Sequence, residues 1–326
     1  MRAIIITRPG AAEVLSLSER PRPDPRSGEI LIAVKAFGLN RAELYFRSGA
    51  WGKVAEISGI ECAGSVEADL EGGFAPGQKV IALMGGMGRT RNGSYAEFVS
   101  VPRENVVAID TDLPWEELAA LPESYATAWT CLVGNLQLAP GQTLVIRGAT
   151  SALGQAALNI ARGLGVRTVA TTRRRDRADM LYRLGAAHVI VGGNELAAKL
   201  HDIAPTGVDA VLDLIGTTTV LDSLAAVRRG GRVCLAGFLG GGAPLPQFDP
   251  VFQMPSGAHL SAFASALVFG TQDYPLSEIP FQQIADNAAR GLYQAKPARV
   301  FRFEDIQAAH RLMETDEAGG KVVVHM

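Results

Sequence analysis

The sequence predicts an α/β protein in which a doubly wound parallel sheet is inserted into a mainly β domain. Three observations carry this. Between Gln142 and Ala236, strand-like apolar segments alternate strictly with helix-like ones, the mark of parallel βαβ units covered by helices on both faces. Ahead of that stretch, short β-rich runs are separated by Gly, Pro and polar turns. After Gly257 the pattern is mixed and cannot build a core alone, so the tail is expected to return to the first domain. A chain of 326 residues is also too long for one ordinary core. The expected borders are 1–121, 122–261 and 262–326.

Each element follows from its local pattern. Arg2–Thr7, Glu29–Leu39, Cys62–Val66 and Lys79–Leu83 are β-rich apolar runs, and Tyr95–Val99 follows a Gly-Ser turn. Gly85–Gly93 reads as a flexible glycine-rich loop. Trp115–Ala120 and Ala126–Leu136 have helical spacing. The alternation then runs strand Thr143–Arg147, helix Gln155–Leu164 stopped at Gly165, strand Val166–Thr171, helix Asp176–Leu184 and strand His188–Val191. It continues with helix Asn194–Ala204, strand Val208–Leu214, helix Thr217–Arg228 and strand Arg232–Ala236. Short, fully apolar strands suit a sheet buried on both faces. Leu260–Phe269 reads either as an edge strand paired across a two-fold axis or as an internal strand of a monomer. Phe281–Leu292 and Phe303–Thr315 are expected helices, and Lys321–His325 a closing strand.

Composition narrows the function. Hydrophobic residues at 48% and charged residues at 20% are ordinary for a compact chain, and a net charge of -2 draws neither nucleic acid nor an anionic membrane. No run reaches the ~18 apolar residues of a membrane span. Ala258–Gly270 comes nearest and is interrupted by His and Ser. The opening MRAIIITRPG is too short for a signal peptide. Three scattered cysteines make neither a disulfide framework nor a metal spacing, which points to a reducing cytoplasm. The five histidines lack ligand spacing, and Ser151 lacks the G-x-S-x-G frame of a hydrolase.

The segment TLVIRGATSALGQAALNIARGLG, from Thr143, passes from strand through a small-residue turn directly into a helix. Small residues admit a pyrophosphate, and the N–H groups and dipole of the helix start hold it. The Rossmann fingerprint G-x-G-x-x-G falls here on Ala149, Ser151 and Gly154, so context rather than glycine count supports it. Ala149, Thr150, Ser151, Ala152 and Leu153 are the phosphate-binding candidates; the alternative is a plain turn with no ligand. The next strand ends TVATTRRRDR. An acidic residue at that place grips the ribose 2′-OH of NAD. This chain has Thr171 and Thr172, then Arg173, Arg174 and Arg175, with Arg177 beyond, which suit a 2′-phosphate. The alternative is a solvated charge cluster, which the helix dipole disfavours without an anion. The expected cofactor is NADPH.

From GLNRAELYFRSGAW, SGIECAGSV, GQKVIAL, GSYAEFVSVP, the turn above and AHRLMETDEAGGKVVV, in this order and spacing, the whole chain resembles the zinc-independent quinone oxidoreductases of the medium-chain dehydrogenase/reductase superfamily. The resemblance implies a GroES-like catalytic domain split by the inserted Rossmann domain, a cleft between the two, and a homodimer. The zinc ligands of related alcohol dehydrogenases match Asn40, Ile60 in Gly59-Ile60-Glu61, and about Glu123, while the structural-zinc lobe is replaced by Gly85–Gly93. Glu61 is left as a lone carboxylate supporting the fold. The resemblance places Asn40 and Thr127 by the nicotinamide and ribose, and Tyr45 and Trp51 toward the substrate. It has Arg47 brace its loop and Arg177 contact the 2′-phosphate. Ile215 and Gly237, Phe238 and Leu239 would flank the nicotinamide, with Phe263 approaching from the domain junction. Gly192 stands where relatives carry a Tyr near the adenosine. Tyr45 and Trp51 read equally as semi-buried aromatics, and Thr127 as a residue bonded to its own helical turn.

The expected chemistry is hydride transfer to a quinone or another conjugated carbonyl, with Tyr45 or Asn40 donating to the developing oxyanion. An enoyl or 2-alkenal reductase is the enzymatic alternative. A non-catalytic NADPH-binding sensor or RNA-binding relative is the alternative of another class, with no basic stripe in its favour. The expected partners are a small-molecule substrate and a second copy of the chain, with no nucleic acid and no membrane.

Overall fold

The computed structural model describes residues 1–192 and 195–326. They divide into two compact units, Met1–Ala126 with Ser265–Met326, and Thr127–Ala264. These units are set against expected borders after 121 and 261. No helix among the described residues is long and apolar enough to cross a membrane.

The first unit is mainly β. A two-stranded antiparallel ribbon pairs β1 (Arg2–Ile6) with β2 (Leu15–Glu19). After it come β3 (Glu29–Gly38), helix α1 (Arg41–Ser48), β4 (Glu61–Asp69), β5 (Lys79–Leu83), β6 (Phe98–Pro102), β7 (Val106–Ala108) and the short helix α2 (Trp115–Leu118). Helix α3 (Pro122–Trp129) carries the chain out of this unit. Three differences from the expected elements have local causes. The strand expected at Tyr95–Val99 begins at Phe98. Tyr95 is instead bound by Ile4 and Ser58 through its backbone, and its buried ring stacks on Phe37 at 4.6 Å. The Gly85–Gly93 loop is a packed turn rather than a loose one. The N–H groups of Arg89, Thr90 and Arg91 converge on Gly86 O at 2.9–3.1 Å, and Met87 is buried. The helix expected from Ala126 starts four residues earlier at Pro122, a residue suited to a first turn, and widens into a π turn over Thr130–Asn135.

The second unit is a single parallel sheet with its crossover helices. Its strands are β8 (Thr143–Arg147), β9 (Arg167–Thr172), β10 (His188–Val191), β11 (Val208–Asp213), β12 (Val227–Leu235) and β13 (His259–Ala262), in the spatial order β10-β9-β8-β11-β12-β13. The connecting helices are α4 (Ala152–Gly163), α5 (Ala178–Arg183), α6 (Leu196–Lys199), α7 (Val220–Ala226) and α8 (Pro250–Gln253). Leu144, Val145 and Ile146 are fully buried, as a doubly covered strand requires. Helix α4 starts at Ala152 rather than Gln155, because Ser151 caps it. Helix α7 starts at Val220 rather than Thr217, because the residues before it form a turn over Asp213. The helix expected at Asn194–Ala204 is regular only over α6, and Asn194 lies outside the described residues. The Leu260–Phe269 segment is not one strand. It ends as β13 at Ala262 and turns helical at α9 (Ser265–Val268) in the first unit.

The tail closes the first unit. Helices α10 (Phe281–Ala289) and α11 (Ile306–Glu314) flank β14 (Arg299–Arg302), and β15 (Val322–His325) follows. Strand β15 runs antiparallel to β3, giving the order β14-β15-β3-β4-β5-β7, with β6 also paired to β3. Val322, Val323 and Val324 are fully buried, and Val322 and Val324 share a core cluster with Phe37 and Phe303.

The start of α1 carries an unusual buried carboxylate. Glu43 reaches back to the N–H of Asn40 at 2.5 Å and accepts the Ile60 N–H at 3.2 Å, fixing both the helix start and the β4 approach. It is fully buried, and desolvation pushes its carboxyl up to about 8. The folded state therefore holds a proton between pH 4.5 and about 8 that the unfolded chain has released. The contribution of Glu43 to stability is then greatest at the acid end, falls as pH rises through that window and levels off above it. Chemical denaturation of the wild type and Glu43→Gln at pH 5, 6.5 and 8 should show a steeper fall with pH for the wild type. Parallel curves would show that Glu43 does not retain its proton.

Candidate functional site

Numbered from β8, the parallel sheet has the order 3-2-1-4-5-6, and its direction of growth reverses between β8 and β11. Ligands of such sheets bind outside the C-terminal ends of the strands at this reversal. The turn after β8 is built for close approach. The residue in left-handed conformation is Gly148, with φ +80°, one position before the Ala149 of the expected fingerprint. Ser151 is a capping residue. Its hydroxyl donates to Gly148 O at 2.9 Å and accepts from the Gly154 N–H at 3.1 Å. Gly154 is required by packing, since a Cβ there would lie 2.6 Å from Ala149 Cα. The Ala152 and Leu153 N–H groups open α4, where no preceding turn supplies them an acceptor. Ala149 is buried, and the Thr150 carbonyl accepts from the Gln155 side chain at 3.0 Å.

Of the expected nicotinamide-side residues, Ile215 and Leu239 meet the same turn. A Cβ on Gly148 would lie 3.0 Å from Leu239 and 3.3 Å from Ile215, so both side chains close over it. Leu239 N–H donates to Leu214 O at 3.1 Å, and Gly237 packs on the Leu214 backbone. Phe238 belongs to the same segment with its ring half exposed. Phe263, just past β13, is buried and donates its N–H to Leu235 O at 2.8 Å. Thr127 is buried within α3.

At the end of β9, the Ala149 N–H donates to Thr171 O at 3.3 Å, tying this strand to the turn. Thr171 and Thr172 are buried, and the Thr172 hydroxyl accepts from the Arg174 N–H at 3.1 Å. Arg173, Arg174 and Arg175 are exposed and Arg177 is half-buried. Arg174 is not solely an outward cation, because its guanidinium forks onto Asp176 at 2.6 and 3.1 Å. Arg174 in turn holds the Asp176 carboxyl below its usual range. Asp176 thus offsets part of the positive charge that opposes the helix dipole. Gly192 has φ +96°, a conformation that disfavours a bulky side chain such as the Tyr that the resemblance implies there. Lys199 Nζ lies 3.0 Å from where its Cβ would be. No sequence pattern singles out Lys199.

In the first unit, Asn40, Glu61 and Lys321 form a buried polar cluster. Asn40 donates from Nδ2 to Glu61 Oε1 at 2.8 Å and accepts from Lys321 Nζ at 2.6 Å. Lys321 also meets Glu61 Oε1 at 2.5 Å, and the second Glu61 oxygen accepts the Glu123 N–H at 2.7 Å. Glu61 is therefore not a lone carboxylate but the centre of an ionic network. Lys321 was invisible from sequence, lying 260 positions away. The residues at the zinc-ligand positions do not fit a catalytic zinc, which needs about three protein ligands. Ile60 has no donor atom, and the Asn40 amide oxygen already accepts from an ammonium. Among the described residues no group of three His, Cys, Asp or Glu is placed to hold a metal.

Tyr45 and Trp51 stack at 6.2 Å with ring planes 8° apart, and Phe46 meets Trp51 edge-on at 5.4 Å. Trp51 is 42% exposed, and Arg89 from the Gly85–Gly93 turn covers its ring at 6.0 Å. Arg47 is buried and pairs with Glu314, consistent with a bracing role. His310 is bound to the Tyr95 hydroxyl at 3.0 Å, and burial pushes its imidazole down to about 3.

Comparison with known proteins agrees with both units. The alcohol dehydrogenase GroES-like domain model matches residues 26–111, and the zinc-binding dehydrogenase model matches residues 152–274. A phenolphthiocerol/phthiocerol polyketide synthase of Mycobacterium tuberculosis is 30% identical over 98% of the chain, which spans only 14% of that protein. Quinone oxidoreductase of Sus scrofa is 26% identical over 99% of the chain and 97% of its own length. A mycobacterial protein solved in complex with NADPH superposes with a TM-score of 0.86 at 26% identity over the whole of both chains. The chain belongs to the medium-chain dehydrogenase/reductase family and is quinone oxidoreductase-like within it.

Proposed function

We propose that the protein is an NADPH-dependent oxidoreductase that delivers hydride to a quinone or similar conjugated carbonyl without a catalytic zinc. The observation that carries this is the reversal of strand order at β8 and β11, with a left-handed glycine and a capped helix start at its mouth. NADPH, when bound, supplies the hydride. The protein binds and aims it. The helix start at Ala152 and Leu153 holds the pyrophosphate, with Ser151 keeping the turn in shape. Arg173, Arg174 and Arg177 hold the 2′-phosphate. Ile215, Leu239 and Gly237 set the nicotinamide side, and Thr127 and Phe263 complete it.

On the acceptor side, Tyr45 and Trp51 offer flat apolar faces, and the Tyr45 hydroxyl or the Asn40 amide donates to the reduced acceptor's oxygen. Reduction of a plain ketone to an alcohol requires an electrophile to polarise the oxygen. A quinone needs none, because resonance stabilises its anion until water protonates it. The cytoplasm is the proposed location, supported by three buried cysteines that form no disulfide. A homodimer is proposed on β13, which forms one edge of the parallel sheet and follows the exposed Val251 and Phe252 of α8.

Stopped-flow oxidation of NADPH should be fast with 1,4-benzoquinone and slow with crotonaldehyde. Ethanol with NADP should give no reduction, and metal analysis should find no zinc. Fast enal reduction with little quinone activity would make the protein an enone reductase, and NADPH binding without turnover on any acceptor would make it a sensor. Replacing Arg173, Arg174 and Arg177 by Ser should lower kcat/KM for NADPH about 10- to 100-fold and leave the NADH value within about threefold. Equal losses for both cofactors would remove the 2′-phosphate assignment. Light scattering should give twice the 34.4 kDa chain mass; the monomer mass would overturn the dimer.

A further inference from the structure

A second polar network lies directly beneath the strand-order reversal, and no expectation from sequence included it. Arg147 ends β8 and Asp213 ends β11, and the two are register partners across the reversal. Both are buried, and they are the charged side chains among the sheet's buried residues. Asp213 Oδ1 accepts the Ile215 N–H at 2.9 Å and the Gly216 N–H at 3.1 Å. The Thr219 hydroxyl reaches its two oxygens at 2.9 and 2.8 Å, and the Ser223 hydroxyl donates to Oδ2 at 2.6 Å. Ser223 also accepts from Arg147 Nη1 at 3.2 Å, and that guanidinium pairs with Asp222 at 2.7 Å. Asp222 in turn accepts the Leu196 N–H at 3.0 Å.

The backbone held by this carboxylate is the one that presents Ile215 to Gly148. Gly216 needs φ +110°, and a Cβ there would lie 3.0 Å from Gly237 O, so the loop has little room to settle elsewhere. Ile215 O then receives the Gly240 N–H at 2.8 Å. One buried carboxylate thus organises the Ile215 loop and, through it, the segment after β12. A carboxylate can accept from these four donors, whereas a hydroxyl or a thiol cannot.

We propose that Asp213 is a positioning residue for hydride transfer: it fixes the Ile215–Gly216 loop against the phosphate-binding turn and so sets the nicotinamide face, with Arg147 balancing its charge through Ser223. The adenosine half of the cofactor, held at the end of β9, does not depend on it. The inference rests on the dinucleotide reading of this site.

The test separates the two halves of the cofactor. Affinity for 2′,5′-ADP reports the adenosine half, and single-turnover NADPH oxidation by 1,4-benzoquinone reports the nicotinamide half. Asp213→Ala should slow single-turnover oxidation at least about tenfold while 2′,5′-ADP affinity stays within about threefold. Asp213→Asn should recover most of the rate, because its amide oxygen still accepts the Ile215 and Gly216 N–H groups. Thr219→Val, which leaves the carboxylate in place, should slow the step less and in the same direction. Equal losses of 2′,5′-ADP affinity and rate, or an Asn variant no faster than Ala, would overturn the proposal by reducing Asp213 to a structural support. If Asp213→Ala does not fold, Thr219→Val decides, and an unchanged rate overturns it. A wild type that binds no 2′,5′-ADP would instead remove the NADPH reading itself.

Discussion

The reversal of strand order between β8 and β11 is the constraint on which the rest of the second unit depends. Parallel strands can be joined only by crossovers, and crossovers are right-handed. Building outward from β8 to β10 and from β11 to β13 therefore sends the two sets of connections to opposite faces. At the junction the two departing loops diverge and leave backbone N–H groups without covering structure. The chain must turn there at once into α4, which demands the left-handed conformation of Gly148 and the absence of a Cβ on Gly154. The second loop, after β11, needs an acceptor for the N–H groups of Ile215 and Gly216. Asp213 supplies it from below.

Both units keep a buried ionic network beside the residues assigned to chemistry, and stability is a poor explanation for either. Desolvating an ion pair costs about as much as the pair regains, and apolar replacements are often as stable. What such a network does is remove alternatives. Lys321 can only donate and an ionised Glu61 can only accept, so the Asn40 amide between them has one orientation, oxygen toward Lys321 and nitrogen toward Glu61. The same logic orders Arg147, Ser223 and Asp213, because the serine hydroxyl must receive from the guanidinium and donate to the carboxylate.

Elements of the parallel sheet were legible because its central strands β8 and β11 are short, largely buried apolar runs. Thr143–Arg147 and His188–Val191 match residue for residue. Helix starts were read less well, since they depend on side-chain caps. Ser151 moves α4 three residues forward, and the turn over Asp213 delays α7. The charged networks were illegible for a different reason. Arg147 at the end of an apolar strand looked like a strand terminus, and Asp213 lay inside the expected strand Val208–Leu214. Only the parallel register makes them neighbours. Lys321 meets Glu61 only because the tail returns as β15 beside β3. The Gly85–Gly93 segment was misread because glycine content signals flexibility locally, whereas here it allows close packing on the backbone of Ser58 and Gly59.

The first-unit cluster also bears on which acceptors the proposed chemistry suits. An ammonium in the place of a ligand set is a cation, and a cation near a carbonyl oxygen would polarise it. Lys321, however, is matched by Glu61 at 2.5 Å, and its remaining contact is to the neutral Asn40 amide. A paired charge exerts a far weaker field on a third group than a bare one at the same distance. The electrophilic help left for a substrate is then hydrogen bonding from an amide or a phenol, which suits an oxyanion that is already delocalised. That balance of charges, more than the identity of any single aromatic near Tyr45, favours conjugated acceptors within the proposed chemistry.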